Sequence, residues 1–439
     1  MATTLSSGQN EDRVGRAAIR KIHWHILSFL FVVVLTSYVD RMNTSYAALA
    51  MNRDLGLTPG MFGFGAGIFF IGEALFAVPS SMAARRFGVH RWIPIMMIGW
   101  AFCAALMGAV QGPKTFYALR FALGVAEAGV VPSILIACSL WYPPAYRARA
   151  VTLIMAGAAV AAIVGAPLSA FLIQFHGLAG LEGWRWLFIL EGVPIVFMGI
   201  FALRLMPSGP QAARWLTADE RKWLAKAFDT QETAHAASSS QGAPASYISA
   251  AALVNLTVAG AASTMVFWIP KVGHDTLGLS LAEIGKIIVP LFVGGIIASY
   301  AVSHFSDVSG KRYPWVIGSA LASACLTGIA GIVAPSISFY ALALAFLIAR
   351  CIGGIFMAAL SEDLRGKSAA TGFAIAMVAA GIGQFGGNWL FGVLKGNTGS
   401  YSAGLVMLTF AMLLAAGLST FLIARRRHFT PTGPAVAMH

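Results

Sequence analysis

Charged residues are scarce in this chain, and their scarcity indicates which solvent surrounds it. Only 11% of the 439 residues are Asp, Glu, Lys or Arg, whereas 58% are hydrophobic and the mean hydropathy is +0.75. A composition dominated by long apolar runs is typical of chains whose outer surface faces lipid. The sequence therefore indicates an integral membrane protein.

Cysteine is also rare, and several motifs of chemical function are missing. The four cysteines form no Cys-x-x-Cys pair and have no metal-type histidine spacing, so we expect neither a zinc site nor a disulfide framework. The chain has no Gly-x-x-x-x-Gly-Lys-Ser/Thr motif, which disfavours an ATP-driven pump. No nucleophile or cofactor constellation is evident, so an enzyme is the weakest functional class and we expect no cofactor. The polar, basic start of the chain does not resemble a cleaved signal peptide.

Twelve apolar stretches are long enough to cross a bilayer as helices, which takes about 20 residues each. They are continuously apolar and lack the alternating pattern of barrel strands. Their predicted limits are 24–48, 60–84, 92–111, 115–140, 150–174, 186–206, 247–270, 280–304, 313–334, 338–360, 369–394 and 401–424.

One long polar interruption divides the spans six and six. It contains a charged amphipathic piece followed by a stretch rich in serine and glycine, which is typical of a flexible linker. The predicted domains are an N-terminal six-helix bundle (1–206), a cytoplasmic linker (207–246), a C-terminal six-helix bundle (247–424) and a cytoplasmic tail (425–439).

The distribution of Lys and Arg predicts the orientation. Loops and the adjoining span ends on the side of the N-terminus hold 21 of these cations, those on the opposite side hold six, and three lie further inside the spans. Cytoplasmic loops carry the excess of positive charge, so we expect both termini in the cytoplasm of a bacterial inner-membrane protein. The net charge of +13 is spread over seven segments instead of one basic face, which argues against a nucleic-acid partner.

The two halves of the chain resemble each other. Arg85-Arg86-Phe87-Gly88 follows the second span, and Asp307-Val308-Ser309-Gly310 follows the eighth. Arg120-x-x-x-Gly124 in span four corresponds to Arg350-x-x-x-Gly354 in span ten. Duplicated six-helix halves are typical of transporters, whose substrate site lies near the midplane between the halves.

Ionisable residues inside the spans are the candidate site, because they cost several kcal/mol unless they face a cavity, a partner or a ligand. Arg120 and Glu127 are seven residues apart, which would place them on one helix face at a separation of roughly 10 Å. Asp40 and Arg41 are adjacent and point about 100° apart, so they cannot simply neutralise each other. The alternative is a buried ion-pair network that only ties helices together.

The two types of charge suggest two roles. Guanidinium groups bind carboxylates through paired hydrogen bonds and stay charged when desolvated, so the arginines favour an anionic ligand. The proton affinity of a carboxyl group depends on burial and on nearby arginines, so a rearrangement can load or release a proton. Together these properties suit an anion and proton symporter driven by a proton gradient.

Six motifs carry a family resemblance. They are Tyr38-Val39-Asp40-Arg41-Met42-Asn43, Arg85-Arg86-Phe87-Gly88, Arg120-x-x-x-Gly124-x-x-Glu127-Ala128-Gly129-x-x-Pro132, Trp141-Tyr142-Pro143 with Arg147-x-Arg149-Ala150, Gly183-Trp184-Arg185-Trp186 and Phe267-Trp268-Ile269-Pro270. From about residue 20 to residue 424 the chain resembles the major facilitator superfamily. Within it, the chain is similar to the anion:cation symporter family, which includes permeases for phthalate, tartrate and galactonate and the sialin-type carriers.

The resemblance implies an all-α membrane protein with twelve transmembrane helices in two pseudo-symmetric six-helix bundles. It implies that Arg41 and Arg120 contact the substrate carboxylate and that Asp40 and Glu127 carry proton coupling. It also implies a conformational latch on the cytoplasmic side that closes when the cavity opens outward. The latch residues are Arg85, Arg86, Asp307, Lys311 and Arg312.

Four further residues are candidate substrate contacts. Glu73 and Arg350 should lie near mid-depth in spans two and ten, and Glu73 stands where related permeases often have an uncharged or aromatic residue. Gln384 and Asn388 occupy a span-eleven segment that departs from the family pattern. For Glu73 and Arg350 the alternative is an ion-pair network that only ties helices together, and for Gln384 and Asn388 it is hydrogen bonding between helices.

The resulting hypothesis is a monomeric secondary transporter that takes up a small organic carboxylate together with protons. A proton-coupled exporter of acids or drugs would use the same fold. A membrane sensor without transport activity is a third possibility, although the polar additions are too short for a signalling domain. Aromatic acids, sugar acids and dicarboxylates all remain open as substrates.

Overall fold

The structure is a computed structural model that describes residues 2–229, 243–364 and 367–426. These residues are helical, with no strand among them. Twelve helical segments within the described ranges are long and apolar enough to cross a membrane. The prediction of an all-α protein with twelve spans is therefore confirmed.

The helices follow the predicted spans closely. In the first half they are α1 (Ala2–Ile22), α2 (Ser28–Asp54), α3 (Pro59–Phe87), α4 (Val89–Met107), α5 (Pro113–Glu127), α6 (Val130–Trp141), α7 (Pro144–Leu172) and α8 (Gly183–Leu205). The linker contributes α9 (Ala218–Asp229). The second half holds α10 (Ala245–Leu277), α11 (Leu281–Ser309), α12 (Arg312–Ile332), α13 (Pro335–Asp363), α14 (Lys367–Thr398) and α15 (Ser402–Arg426). The exact domain limits stay a prediction, since residues 230–242 and 427–439 lie outside the described residues.

Span four, which the hydropathy pattern predicts as one helix, is broken into α5 and α6. Gly129 has φ −99° and ψ 2°, which interrupts the helix directly after Glu127 and Ala128. Pro132 has no N–H, so the carbonyl group of Ala128 lacks its usual helical donor there. The break leaves Glu127 as the last residue of α5.

The N-terminal segment forms a helix that the hydropathy pattern does not predict. A π-helical stretch, His23–Leu27, joins α1 to α2, and α1 packs on α9 of the linker. Lys21 pairs with Glu220 at 2.9 Å. Burial raises the pKa of the Glu220 carboxyl, but hydrogen bonds from the Thr217 backbone and Lys21 outweigh it and hold that pKa below its usual range. The predicted amphipathic piece of the linker is thus α9, and its polar face binds α1.

The internal repeat is visible in the turns after α3 and α11. Gly88 (φ 82°) and Gly310 (φ 62°) both adopt the left-handed conformation that glycine tolerates best. Beside each turn an aromatic pair stacks at 6.1 Å between ring centroids. The pairs are Phe87 with Trp92 and Phe305 with Trp315. The two halves therefore repeat in structure as well as in sequence.

The two halves meet mainly toward one face. We call the face that holds the start of α2 and the end of α15 the terminal face. Close contacts of α3 with α14 extend from Pro59, at the opposite face, to Ala74 near mid-depth. The Ser45 hydroxyl of α2 donates to the Phe267 carbonyl of α10 at 2.7 Å. Beyond Ala74, toward the terminal face, Val78 and Met82 of α3 are exposed.

Close helix packing inside the first half depends on small residues. At Gly124 of α5, a Cβ atom would lie 2.0 Å from the Phe69 carbonyl oxygen of α3. Backbone atoms cannot move aside cheaply, so glycine is required where these two helices cross. This crossing fixes the depth of the ionisable residues on α3 and α5.

We predict that Gly124→Ala destabilises the protein by about 1–3 kcal/mol, the usual cost of overpacking a tight contact. Gly318→Ala in α12 is the matched control, because Gly318 is exposed and no atom lies within 4 Å of an added Cβ. Thermal denaturation of both variants in detergent would measure the difference. Equal midpoints for the two variants would contradict the predicted contact.

Candidate functional site

Arg41 is the centre of an ion-pair cluster in the first half. Its Nη2 and Nη1 atoms donate to the two carboxylate oxygens of Glu73 at 2.5 and 3.3 Å. Its Nε atom donates to Glu127 at 2.8 Å. One guanidinium on α2 thus connects α3 and α5, and its side chain remains 16% exposed.

Glu127 is the sealed partner of Arg41. Its side chain is 0% exposed, and the oxygen that accepts from Arg41 also accepts from the Ser37 hydroxyl at 2.9 Å. Its other oxygen, Oε1, has no hydrogen-bond partner among the described residues. Helix α5 therefore ends at a buried carboxylate, one oxygen of which can still accept a hydrogen bond.

Arg120 is fully buried and is not in contact with open space. Its Nε and Nη2 atoms donate to the backbone carbonyls of Gly65 and Ala66 at 3.3 and 3.4 Å. The Phe69 ring lies within cation–π distance of the guanidinium carbon atoms of both Arg120 (4.8 Å) and Arg41 (5.0 Å). In this conformation Arg120 acts on its surroundings through its charge, which reaches Asp40 and Glu127.

A second acid pair lies deeper in the bundle, and sequence reasoning missed half of it. The Asn43 amide nitrogen donates to Asp40 and to Glu191 of α8, each at 3.0 Å. Asp40 Oδ2 and Glu191 Oε1 have no hydrogen-bond partner among the described residues. Glu191 stands in the apolar run Leu190-Glu191-Gly192 of a predicted span, so the same rule that selected Glu127 would have found it.

These groups form one electrostatic unit, since Asp40 interacts with Arg120, Glu127 and Glu191. We call this unit the acid-arginine cluster. It consists of Asp40, Arg41, Glu73, Arg120, Glu127 and Glu191. Five of its six members were predicted from the sequence. The predicted substrate contact of Arg120 stays a prediction, and in this conformation its side chain is fully buried.

Arg350 is exposed at mid-height of α13, in contrast to its counterpart Arg120. It lies within electrostatic range of the Tyr38 hydroxyl, across the space between the halves. No carboxylate is paired with it among the described residues. One turn further along α13, a methyl group added at Gly353 or Gly354 would meet no atom within 4 Å, so there is open space beside the guanidinium.

The span-eleven candidates have different environments. Asn388 is fully buried, and its amide donates to the Ser263 hydroxyl at 3.0 Å and to the Gln384 carbonyl at 2.9 Å. These bonds hold α14 to α10 inside the second half. The Gln384 side chain is half-buried, and neither residue is brought into the acid-arginine cluster.

The predicted latch residues lie on the terminal face. Arg85 and Arg86 are exposed in the last turn of α3. Arg312 pairs with Asp307 at 2.6 Å and with Glu362 at 2.5 Å, both within the second half. Lys311 is exposed in the turn between α11 and α12. No ion pair joins the latch residues of the two halves within the described ranges, which agrees with a structure open toward the terminal face.

Comparisons with known proteins support this reading of the fold. A relative in Agrobacterium vitis, named "Putative tartrate transporter", is 35% identical over 93% of this chain and 91% of its own length. A "Quinolone resistance transporter" of Acinetobacter baumannii is 29% identical over 93% of this chain and 95% of its own.

A solved structure has the same fold. It is a bacterial homologue of the human lysosomal transporter Spinster, described as inward-facing and occupied. The TM-score is 0.74, the identity is 16%, and the match covers 93% of this chain and 97% of that one. The model of the Major Facilitator Superfamily matches residues 30–388. The chain therefore belongs to the Major Facilitator Superfamily, in a branch similar to the anion:cation symporters, and it is a transporter and not an enzyme.

Proposed function

We propose that this protein imports a small organic carboxylate together with protons, by alternating access, as a monomer in a bacterial inner membrane. The observation that carries the proposal is the pairing of Arg41, whose partly exposed guanidinium is bound to two carboxylates. This guanidinium lies 5.2 Å from the ring of Tyr38, which is within electrostatic range of Arg350 in the other half. A site that holds a side-chain carboxylate in this way has the geometry to hold a substrate carboxylate. The positive-inside distribution of Lys and Arg supports cytoplasmic termini.

The charge balance of the acid-arginine cluster supports proton coupling. Four carboxyl groups face two guanidinium groups, so full ionisation would leave two uncompensated negative charges, mostly out of water. Burying unpaired charge is costly, so proton binding is the simplest way to neutralise the excess. We assign proton coupling to Asp40 and Glu127, with Glu191 as a third acid that shares Asn43 with Asp40.

The proposed cycle follows from these groups. With the site open outward, the acids take up protons, which frees Arg41 to bind the substrate anion. Arg120 remains the internal counter-charge of the buried acids, and it contacts substrate only if α5 moves against α3. After the halves rock, protons leave toward the cytoplasm and the carboxylates bind Arg41 again. The latch residues of the two halves would pair across the terminal face in the outward-open state and would separate in the inward-open state.

The direct test of this function is transport in vesicles. Purified protein reconstituted in liposomes should accumulate a labelled carboxylate, such as tartrate, when the outside is made acidic. Dissipating the proton gradient with an ionophore should abolish the accumulation. A panel of aromatic acids, sugar acids and dicarboxylates, screened for thermal stabilisation, would select the substrate, because a ligand of the native state raises its apparent stability.

We predict that Glu127→Gln abolishes uphill accumulation of the substrate and leaves counterflow exchange measurable. The amide keeps the size of the side chain and can still bond to Ser37, but it cannot release a proton. Glu182→Gln is the matched control, since Glu182 is partly exposed on an outer loop beside His176. Unchanged uphill uptake by Glu127→Gln would remove this residue from the coupling mechanism.

We predict that Arg350→Ala weakens dicarboxylate binding by about tenfold or more and affects monocarboxylates much less. The reason is that Arg350 is a second guanidinium without a carboxylate partner in the described part of the chain, and one charge-assisted hydrogen bond contributes about 1.5–3 kcal/mol. Titration calorimetry with tartrate and with gluconate would measure the difference. The variant Arg350→Lys keeps the positive charge but not the paired N–H groups, so it would separate the effect of charge from that of bidentate hydrogen bonding. Equal losses for both acids would reject a role in reading a second carboxylate.

Export is the second candidate function, and the likeness to the Acinetobacter baumannii protein favours it. The two directions predict different results in the same vesicles. An exporter would move preloaded substrate out against its gradient in exchange for protons, whereas a symporter would accumulate it on the side of lower proton concentration. The arginines of the site argue against cationic substrates in either direction.

A further inference from the structure

The two carboxylates bound to Arg41 are not equivalent. Both carboxylate oxygens of Glu73 accept hydrogen bonds from the Nη2 and Nη1 fork of the guanidinium, at 2.5 and 3.3 Å, whereas Glu127 accepts only from Nε. The Glu73 side chain is 25% exposed, and that of Glu127 is 0% exposed. Glu127 is therefore the sealed partner of Arg41, and Glu73 is the partner that water and solutes can reach.

The pairing of Glu73 has the form that a carboxylate ligand would need. A planar guanidinium offers two faces to carboxylates, the Nη1/Nη2 end and the Nε side, and Glu127 already occupies the Nε side of Arg41. The Nη1/Nη2 fork, which Glu73 occupies, cannot hold a second carboxylate at the same time. An incoming anion that binds Arg41 in this bidentate manner must first displace Glu73. Because Glu73 is attached to α3, its effective concentration at the fork is high, in the millimolar range or above for a tethered group.

Building on the proposed function, we infer that Glu73 is a built-in competitor of the substrate, a tethered carboxylate that occupies the Arg41 fork when the site is empty. Protonation of Glu73 removes its charge and opens the fork to substrate. Loss of that proton restores the ion pair and expels the substrate toward the terminal face. Glu73 thus sets the release step, instead of contacting the bound substrate.

The surroundings of Glu73 leave it few other partners. On α2 the facing charged group is Arg41, with the Tyr38 ring 5.2 Å from the Arg41 guanidinium carbon, and on α5 it is Glu127. The next residue of α3, Ala74, packs on Gly381 of α14, which offers no charge. A displaced, ionised Glu73 would face the like charge of Glu127, so displacement and proton uptake are favoured together.

The experiment compares tartrate binding to purified wild type, Glu73→Gln and Glu73→Asp across pH 5.5 to 8.5, with Glu182→Gln as the control for loss of a remote acid. Tartrate serves as the test ligand and gluconate as a second one. We expect wild-type affinity to rise as pH falls. We expect Glu73→Gln to bind tartrate at least about tenfold more tightly than wild type at pH 7.5, because it lacks the competing charge. Its affinity should also depend less on pH.

Transport gives the second readout. Because tight binding at the terminal face slows release, Glu73→Gln should lose net uptake while keeping counterflow exchange. Glu73→Asp keeps the charge with a shorter reach, so its affinity should lie between those of the other two proteins. This variant also tests the inference if the glutamine variant is unstable in detergent.

The outcomes separate the two proposals. If wild type binds tartrate or gluconate and Glu73→Gln binds it with equal affinity and an equal pH profile, the competitor role is wrong and the proposed function stands. Loss of binding in both Glu73 variants would make Glu73 a substrate contact and would also overturn the competitor role. If wild type binds neither acid nor any of the carboxylate panel, the proposed function fails, and this inference fails with it.

Discussion

The pairing of Arg41 with Glu73 and Glu127 is the interaction on which the rest of the site depends. It joins α2, α3 and α5 at mid-depth through one guanidinium group. Removing a single member of a buried ion pair leaves an uncompensated charge, which costs several kcal/mol, so the charge state of each side chain depends on the other two. An interaction of this kind is stable when intact and sensitive to any proton or anion that replaces one partner.

The cluster has more acidic than basic groups, and this imbalance supports the proposed proton coupling over a purely structural ion-pair network. A network that only ties helices together would be expected to balance its charges. Here Asp40 and Glu191 compete for the one amide group of Asn43, and an oxygen of each carboxylate has no hydrogen-bond partner among the described residues. The proposed proton binding would supply both the compensating charge and the hydrogen-bond donors that these carboxylates lack.

The fold could be predicted from hydropathy because every span must be apolar over a fixed length. Hydropathy could not predict helix α1, because α1 depends on packing against α9. It also could not predict the break after Glu127, because the break depends on local bonding around Pro132. The membership of Asp40, Arg41 and Glu127 followed from their position in apolar spans. The burial of Arg120 could not be predicted in this way, because it depends on how closely Gly124 lets α5 approach α3. Glu191 was predictable from its span and was overlooked.

The internal duplication gives the two halves equivalent arginines in different environments. Arg120 and Arg350 occupy corresponding positions in the two halves, yet the first is sealed among acids and the second is exposed without a carboxylate partner in the described part of the chain. A guanidinium surrounded by carboxyl groups mainly sets their proton affinity, whereas one that faces open space can bind an anion directly. Under the proposed function, divergence of the two copies would place proton binding in the first half and leave Arg350 of the second half available for a second carboxylate of the substrate. Arg41, which is bound to two acids and yet partly exposed, would connect proton binding with anion binding.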